Sequence, residues 1–173
     1  TATPSRGDGV GLCNLFDEVL HQFPLKDAID GGYLVPIHAF SVSTNIDLSA
    51  VKIVRGEYDE NELAATVNTP ERNVAIVDSW RKNASGHKTL VFCVNIQHAH
   101  DVAEEFKRAG VMSMAIWGEC RDRADRLRWF EQTDGVVLSN CALFIEGIEV
   151  PSISCVIMAS PTRSKTRFSQ SVG

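Results

Sequence analysis

With 173 residues, 44% of them hydrophobic, and a formal net charge of −5, the chain has the material for one globular domain, with or without an appendage. This composition excludes disorder, and no apolar run nears the ~20 residues that a membrane-spanning helix needs. The acidic balance excludes a nucleic-acid module that is basic all over, though not one with a local basic patch. The five cysteines (Cys13, Cys93, Cys120, Cys141 and Cys155) are odd in number, widely spaced and without a C-x-x-C pair. That argues against a disulfide framework or a zinc site and for a reducing, intracellular compartment.

The chain opens on "TATPSRGDGVGL", a turn-forming string, and closes on an equally abrupt "QSVG". Both ends read as cuts in a longer sequence. "PLKDAIDGG" predicts a short helix stopped by glycine, and "YLVPIHAFSVS" an extended segment in which Pro36 suggests a sheet edge. Acidic residues gather at 57–62 and 101–105, and basic ones at 121–128 and 163–167. A helix is predicted over 60–67, with Asp59 as its cap and Glu62 closing a capping box. A second is predicted over 70–83, with Thr69 as cap, Pro70 in the first position, and Val74, Val77 and Trp80 along one face.

From residue 89 the pattern alternates. "TLVFCV" (89–94), "VMSMAI" (111–116), "VVLS" (136–139) and "ISCVIM" (153–158) are apolar runs of strand length, as in a parallel sheet covered on both faces. Between the first two, Ala99, Val102, Ala103 and Phe106 recur at helical spacing, and Gly110 ends the helix. Between the next two, Ala124, Leu127 and Phe130 share a face of "CRDRADRLRWFEQ". The expected fold is a doubly wound α/β sheet.

Ligands of such sheets bind beyond the C-terminal ends of the strands. The exits there are Asn95; Trp117, Gly118 and Glu119; Ser139, Asn140 and Cys141; and Ser160 through Ser164. Arg121, Arg123, Arg126 and Arg128 either read phosphates or pair with Asp122 and Asp125 on a wet helix face. His98 and His100 lack the i, i+4 spacing of a zinc helix and read as surface residues, so no metal site is expected. Of the tryptophans, Trp80 and Trp129 read as core or half-buried, and Trp117 as the one placed to stack on a base.

Three strings carry a resemblance. "TLVFCVNIQHAHDVAEEFKRAG", "WGECRDRADRLRWF" and "VVLSNCALFIEGIEVPSISCVIMASPTRSKTRFSQSVG" together resemble the second, C-terminal RecA-like domain of superfamily 2 helicases. Within that family they are most similar to the branch of restriction-subunit and repair-type DNA translocases. The first string corresponds to motif IV, "LSNCALFIEGIEVP" to motif V, "QSVG" to the opening of motif VI, and "TATP" to motif III.

The resemblance implies a RecA-like P-loop-NTPase-type fold. Residues 1–45 would be motif III with an interdomain lead-in, and 46–173 the helicase C-terminal domain, cut before the motif VI arginines. It implies nucleotide contacts from Gly147, Glu149, Gln170 and Gly173, with Glu149 in the family's usual Asp position. It implies nucleic-acid contacts from Asn95, Gly118, Arg126, Ser139, Asn140 and Arg163. The implied cofactor is ATP with Mg2+, bound mainly by a first RecA-like domain. The implied partners are that domain and nucleic acid, DNA over RNA, with no membrane. The chain holds no G-x-x-x-x-G-K-[ST] and no Asp-Glu pair after a strand, so alone it is expected to be inactive. The alternatives are a non-catalytic helicase-like binding module and an unrelated doubly wound nucleotide-binding or receiver-like domain.

Overall fold

The computed structural model describes residues 17, 18, 20–141 and 150–172. Its contacts divide the chain into two compact units, Thr1–Ser43 and Thr44–Gly173. In the first, helix α1 (Leu25–Asp30) turns over a single buried side chain, Ala28. Ala28 O accepts from Tyr33 N at 2.8 Å, and Gly32 takes the positive φ of 74° that closes the turn. Phe23 meets the Tyr33 ring edge-on at 5.5 Å. The segment after it forms no helix or strand among the described residues, so its predicted edge position finds no sheet.

The second unit opens with a hairpin, β1 (Ile53–Val54) and β2 (Glu57–Tyr58). Arg55 and Gly56 between them have φ of 53° and 85°, the paired positive values of a type I′ turn. Helix α2 (Glu60–Val67) begins where predicted, with the Asp59 carboxylate accepting from Glu62 N. The capping box is not completed. Glu62 turns instead to Lys52, accepting from its backbone N–H at 2.9 Å and its ammonium at 2.5 Å, because a cation competes better for a carboxylate than a neutral amide does. Helix α3 (Pro70–Ala84) is capped by Thr69. It buries Asn73, Ile76, Val77 and Trp80; Val74, predicted on that face, lies a step round the helix and is 42% exposed.

Strands β3 (Thr89–Cys93), β4 (Ser113–Trp117), β5 (Val137–Cys141) and β6 (Cys155–Met158) form one all-parallel sheet in the order β4-β5-β3-β6. Helices α4 (Ile96–Arg108), α5 (Arg123–Gln132) and α6 (Lys165–Val172) follow β3, β4 and β6. Alternation along β3 divides the core. Val91 and Cys93 face Ile76, Val77, Trp80, Val102 and Phe106 of α3 and α4. Leu90 and Phe92 face Phe130 of α5, with Ile116 and Leu138. The predicted α4 face (Ala99, Val102, Ala103, Phe106) is fully buried, whereas on α5 only Phe130 is, Leu127 being partly covered and Ala124 exposed. The fold is therefore the expected α/β class. Among the described residues no helix is long and apolar enough to cross a membrane.

Candidate nucleotide and nucleic-acid interface

The parallel sheet brings four strand exits to one end. At the β3 exit, Asn95 caps α4, its side-chain oxygen accepting from His98 N at 2.8 Å. That bond folds the chain back so that His98 points inward. His98 is not the surface residue expected from sequence: it is fully buried, and its Nδ1 accepts from Val94 N at 3.3 Å. Burial, seconded by the nearby Arg72 charge and opposed by Asp101, lowers its pKa to about 4, so the ring is neutral.

At the β4 exit, Arg126 is engaged within the domain. Its guanidinium donates to Asp122 at 2.9 Å and to the carbonyl of Ala115, and it lies 5.3 Å from the Trp117 ring. His100 sits 4.9 Å from the same ring, so the expected base stacker already has two neighbours. Arg128 pairs with Asp125 at 3.0 Å, and the wet-face reading of this helix thus describes two of its arginines. A Cβ at Gly118 would meet nothing within 4 Å, which makes it an open turn beside this cluster.

At β5 the structure departs from the sequence reading. Ser139 and Asn140 were expected beyond the strand, but they lie inside it and are fully buried. β5 is flanked on both sides: Asn140 stands opposite Phe92 on β3 and Ile116 on β4. Backbone bonding on two edges carries the strand through to Cys141 despite the low strand preference of asparagine. Asn140 Nδ2 donates to Val91 O at 2.9 Å. Its Oδ1 and Ser139 Oγ have no hydrogen-bond partner among the described residues. As placed, neither side chain is open to solvent. Gly147, Glu149 and Gly173 lie outside the described residues; Gln170 lies on α6.

The β6 exit holds a contact that sequence reading missed. Glu57, from the hairpin, accepts from Thr162 Oγ1, from Arg163 N at 2.8 Å and from Ser164 N at 3.3 Å. The Arg163 guanidinium lies 5.8 Å from the Tyr58 ring. Arg167, on α6, helps line a small cavity with Phe92, Cys93, Ser160, Thr162 and Ser171. In the sequence Glu57 is only the first residue of an acidic run, and nothing local links it to Thr162. No group of three or more His, Cys, Asp or Glu among the described residues could hold a metal.

Residues 70–173, more than half of the chain, match the family described as the helicase conserved C-terminal domain. The chain belongs to that family. Among curated proteins, the helicase domain is 30% identical to a Schizosaccharomyces pombe protein provisionally named mitochondrial ATP-dependent helicase irc3, over 100% of this chain and 29% of that protein. It is 27% identical to a Saccharomyces cerevisiae protein provisionally named ATP-dependent helicase IRC3, over 100% of this chain and 26% of that one. It is 23% identical to the type I restriction enzyme EcoAI endonuclease subunit of Escherichia coli, over 100% of this chain and 25% of the subunit. The chain thus spans less than a third of the length of each of these relatives.

Proposed function

We propose that this domain is the second RecA-like half of an ATP-dependent DNA helicase or translocase, working inside the cell. It supplies one wall of an ATP–Mg2+ site and one grip on the phosphate backbone. A first RecA-like domain supplies the lysine loop and the magnesium-holding acid. Closure of the two halves on ATP and their opening after hydrolysis would step the grip along DNA.

The observation that carries this reading is the gathering of exits at one end of an all-parallel sheet inside a helicase C-terminal domain. Asn95, Gly118 and the Ser160–Ser164 loop follow three strands of one parallel sheet at the end where ligands of open α/β sheets bind. Names given to relatives that are three to four times longer support ATP use by the whole protein. Gly147 and Glu149 are proposed for the nucleotide side with Gln170 and Gly173, and Arg163 for the DNA side.

The test is phosphate release from Mg-ATP, with and without DNA, by this chain and by a longer form that carries a first RecA-like domain. The longer form is expected to turn over ATP faster with DNA present, and the chain alone to release nothing above background. Glu149→Ala in the longer form should slow turnover about tenfold or more, because a hydrogen bond to a charged group contributes roughly 1.5–3 kcal/mol. A longer form that binds DNA with no ATP turnover under any condition is a non-catalytic binding module, and the helicase reading falls.

A further inference from the structure

We propose that Glu57 is a built-in competitor for the nucleic-acid backbone: its carboxylate occupies a seat made by Thr162 Oγ1 and the N–H groups of Arg163 and Ser164, which a phosphodiester takes when Glu57 turns away. The inference rests on the reading of the β6 exit as part of the DNA grip, and it adds a regulator to that grip.

The seat has the chemistry of an oxyanion receptor. One hydroxyl and two successive backbone N–H groups converge on the two oxygens of a single carboxylate. A phosphodiester offers the same pair of charged oxygens, and such donors bind either anion. The contact is not local turn chemistry, since it joins residues 105 to 107 positions apart. It forms although burial pushes the Glu57 carboxyl up; the four hydrogen bonds it accepts (from Thr162, Arg163, Tyr58 and Ser164) outweigh that and hold it below the usual glutamate value.

The hairpin that presents Glu57 is fixed independently of the seat. Its I′ turn sets the register, Asp59 N donates to Lys52 O at 2.8 Å, and Tyr58 packs against the cluster containing Val51, Leu63 and Val67. Glu57 can therefore leave by rotating its side chain, with no backbone to unfold. Beside the seat is an open cleft of about 340 Å³ lined by Thr162, Arg163, Ser164, Lys165, Phe168 and Ser169. Two cations, three hydroxyls and a Phe168 ring that is 50% exposed are what a single strand uses, phosphates on the cations and a base on the ring. Among the described residues no carboxylate lines that cleft, and Glu57 at its edge is the acid that a strand would displace.

The experiment is equilibrium binding of a labelled 20-nucleotide oligothymidylate, and of oligouridylate of the same length, over a salt series. The proteins are wild type, Glu57→Gln, Thr162→Val and the double variant. Freeing the seat should add one phosphate contact. Glu57→Gln is expected to bind about tenfold tighter at low salt, and its plot of log K against log salt should steepen by about 0.7. Adding Thr162→Val should remove part of that gain. A gain on both probes assigns the seat to the shared phosphodiester, and a gain on oligothymidylate alone to DNA. Glu57→Gln binding no tighter than wild type, with an unchanged slope, makes Glu57 a structural clasp and overturns the proposal. If none of the four proteins binds at low salt, the reading of this exit as a DNA grip falls first, and the competitor with it. Glu57→Asp, shorter by a methylene but still charged, repeats the test if a melt shows Glu57→Gln unfolded; it should gain less, and no gain again overturns the proposal.

Discussion

At the N-terminal end of the parallel sheet the polar groups are paired inside the domain. Thr89 Oγ1 donates to His87 O at 2.8 Å and accepts from Trp80 Nε1 at 2.7 Å. The buried Lys88 ammonium donates to Glu131 O at 2.8 Å, and His87 bonds Ser154 at 2.9 Å. A Cβ on Gly135, at φ 66°, would come within 3.3 Å of Gly86 O, so the turns there close on one another. The C-terminal end is built otherwise. Asn140 Oδ1 and His98 Nε2 are buried with no partner among the described residues, and the strongest donor cluster is filled by an acid from another part of the chain. One end spends its hydrogen bonds on stability. The other leaves them unmade or exchangeable, as a ligand-receiving end must, since a donor locked into the fold cannot bind anything else.

If this contrast is right, substitutions at the two ends should fail in different ways. The largest effect belongs to the N-terminal end. Trp80→Ala removes a 5%-exposed ring that meets Phe106 edge-on at 5.4 Å, and it leaves Thr89 without its donor. Urea unfolding should show a loss of about 3–5 kcal/mol. Trp80→Phe keeps one aromatic ring but loses the hydrogen bond and the pyrrole half of the indole, so it should cost less, about 2 kcal/mol. A Trp80→Phe protein as unstable as Trp80→Ala would mean that this end is held by the polar network more than by packing.

Next in size is the acid response of His98. Its folded pKa, about 4, lies below the ordinary histidine value, so between the two the unfolded chain binds the extra proton. Stability is therefore complete above that window and falls as pH drops through it, by about 1.4 kcal/mol per pH unit at the steepest. Urea melts at pH 7, 6 and 5 should lose roughly 2 kcal/mol over the series. The carboxyls of Glu57, Glu62, Glu104 and Asp122 are held below their ordinary values, so they act in the same direction and lose stability as pH falls from the ordinary carboxylate range downward. A flat response from pH 7 to 5 would show that His98 is hydrated or paired in solution, and the C-terminal end would then be as satisfied as the other.

Signals spanning a few residues were legible in the sequence. The Asp59 and Thr69 caps, the Pro70 start and the buried stripe of α4 came from spacing, and the four strands from runs of apolar residues. Misreadings arose where a distant partner decides. Glu62 fits a capping box until Lys52 arrives. Asn140 reads as loop until two neighbouring strands pair with it. His98 reads as surface because two histidines in a polar string look wet, and the Asn95 cap that turns it inward shows only in the fold. Glu57 carried no local sign, as its partners lie more than a hundred residues away. Resemblance places the site residues of this end near strand exits, whereas the partners that already engage Arg126 and bury Asn140 come from other parts of the fold.

The smallest stability change is expected where sequence and structure disagree most, at Asn140. Its amide donates one good bond, to Val91 O, while its carbonyl is buried unpaired, a burden of roughly 1–3 kcal/mol against a gain of about 1. Leucine has the same branching and a larger volume, and it would face Phe130, Ile116 and Leu138 across this side of the sheet. Relief of the unpaired carbonyl and the overpacking by a larger side chain oppose each other, so Asn140→Leu should leave the melting temperature near wild type, whereas an ordinary buried polar-to-apolar change that strands a partner lowers it. Val91 O does lose its side-chain donor, but it is a strand carbonyl with ladder bonding available, so little is stranded. A buried carbonyl without a partner, at the ligand-receiving end of the sheet, points to a role other than stability. In the longer, DNA-stimulated form, Asn140→Leu is accordingly expected to lower the stimulation by DNA and leave the DNA-free rate near wild type. Thermal melts beside ATPase assays decide it. A drop in melting temperature with normal stimulation would make Asn140 a plain member of the core, and the C-terminal end would lose one of the buried, unpaired atoms that set it apart.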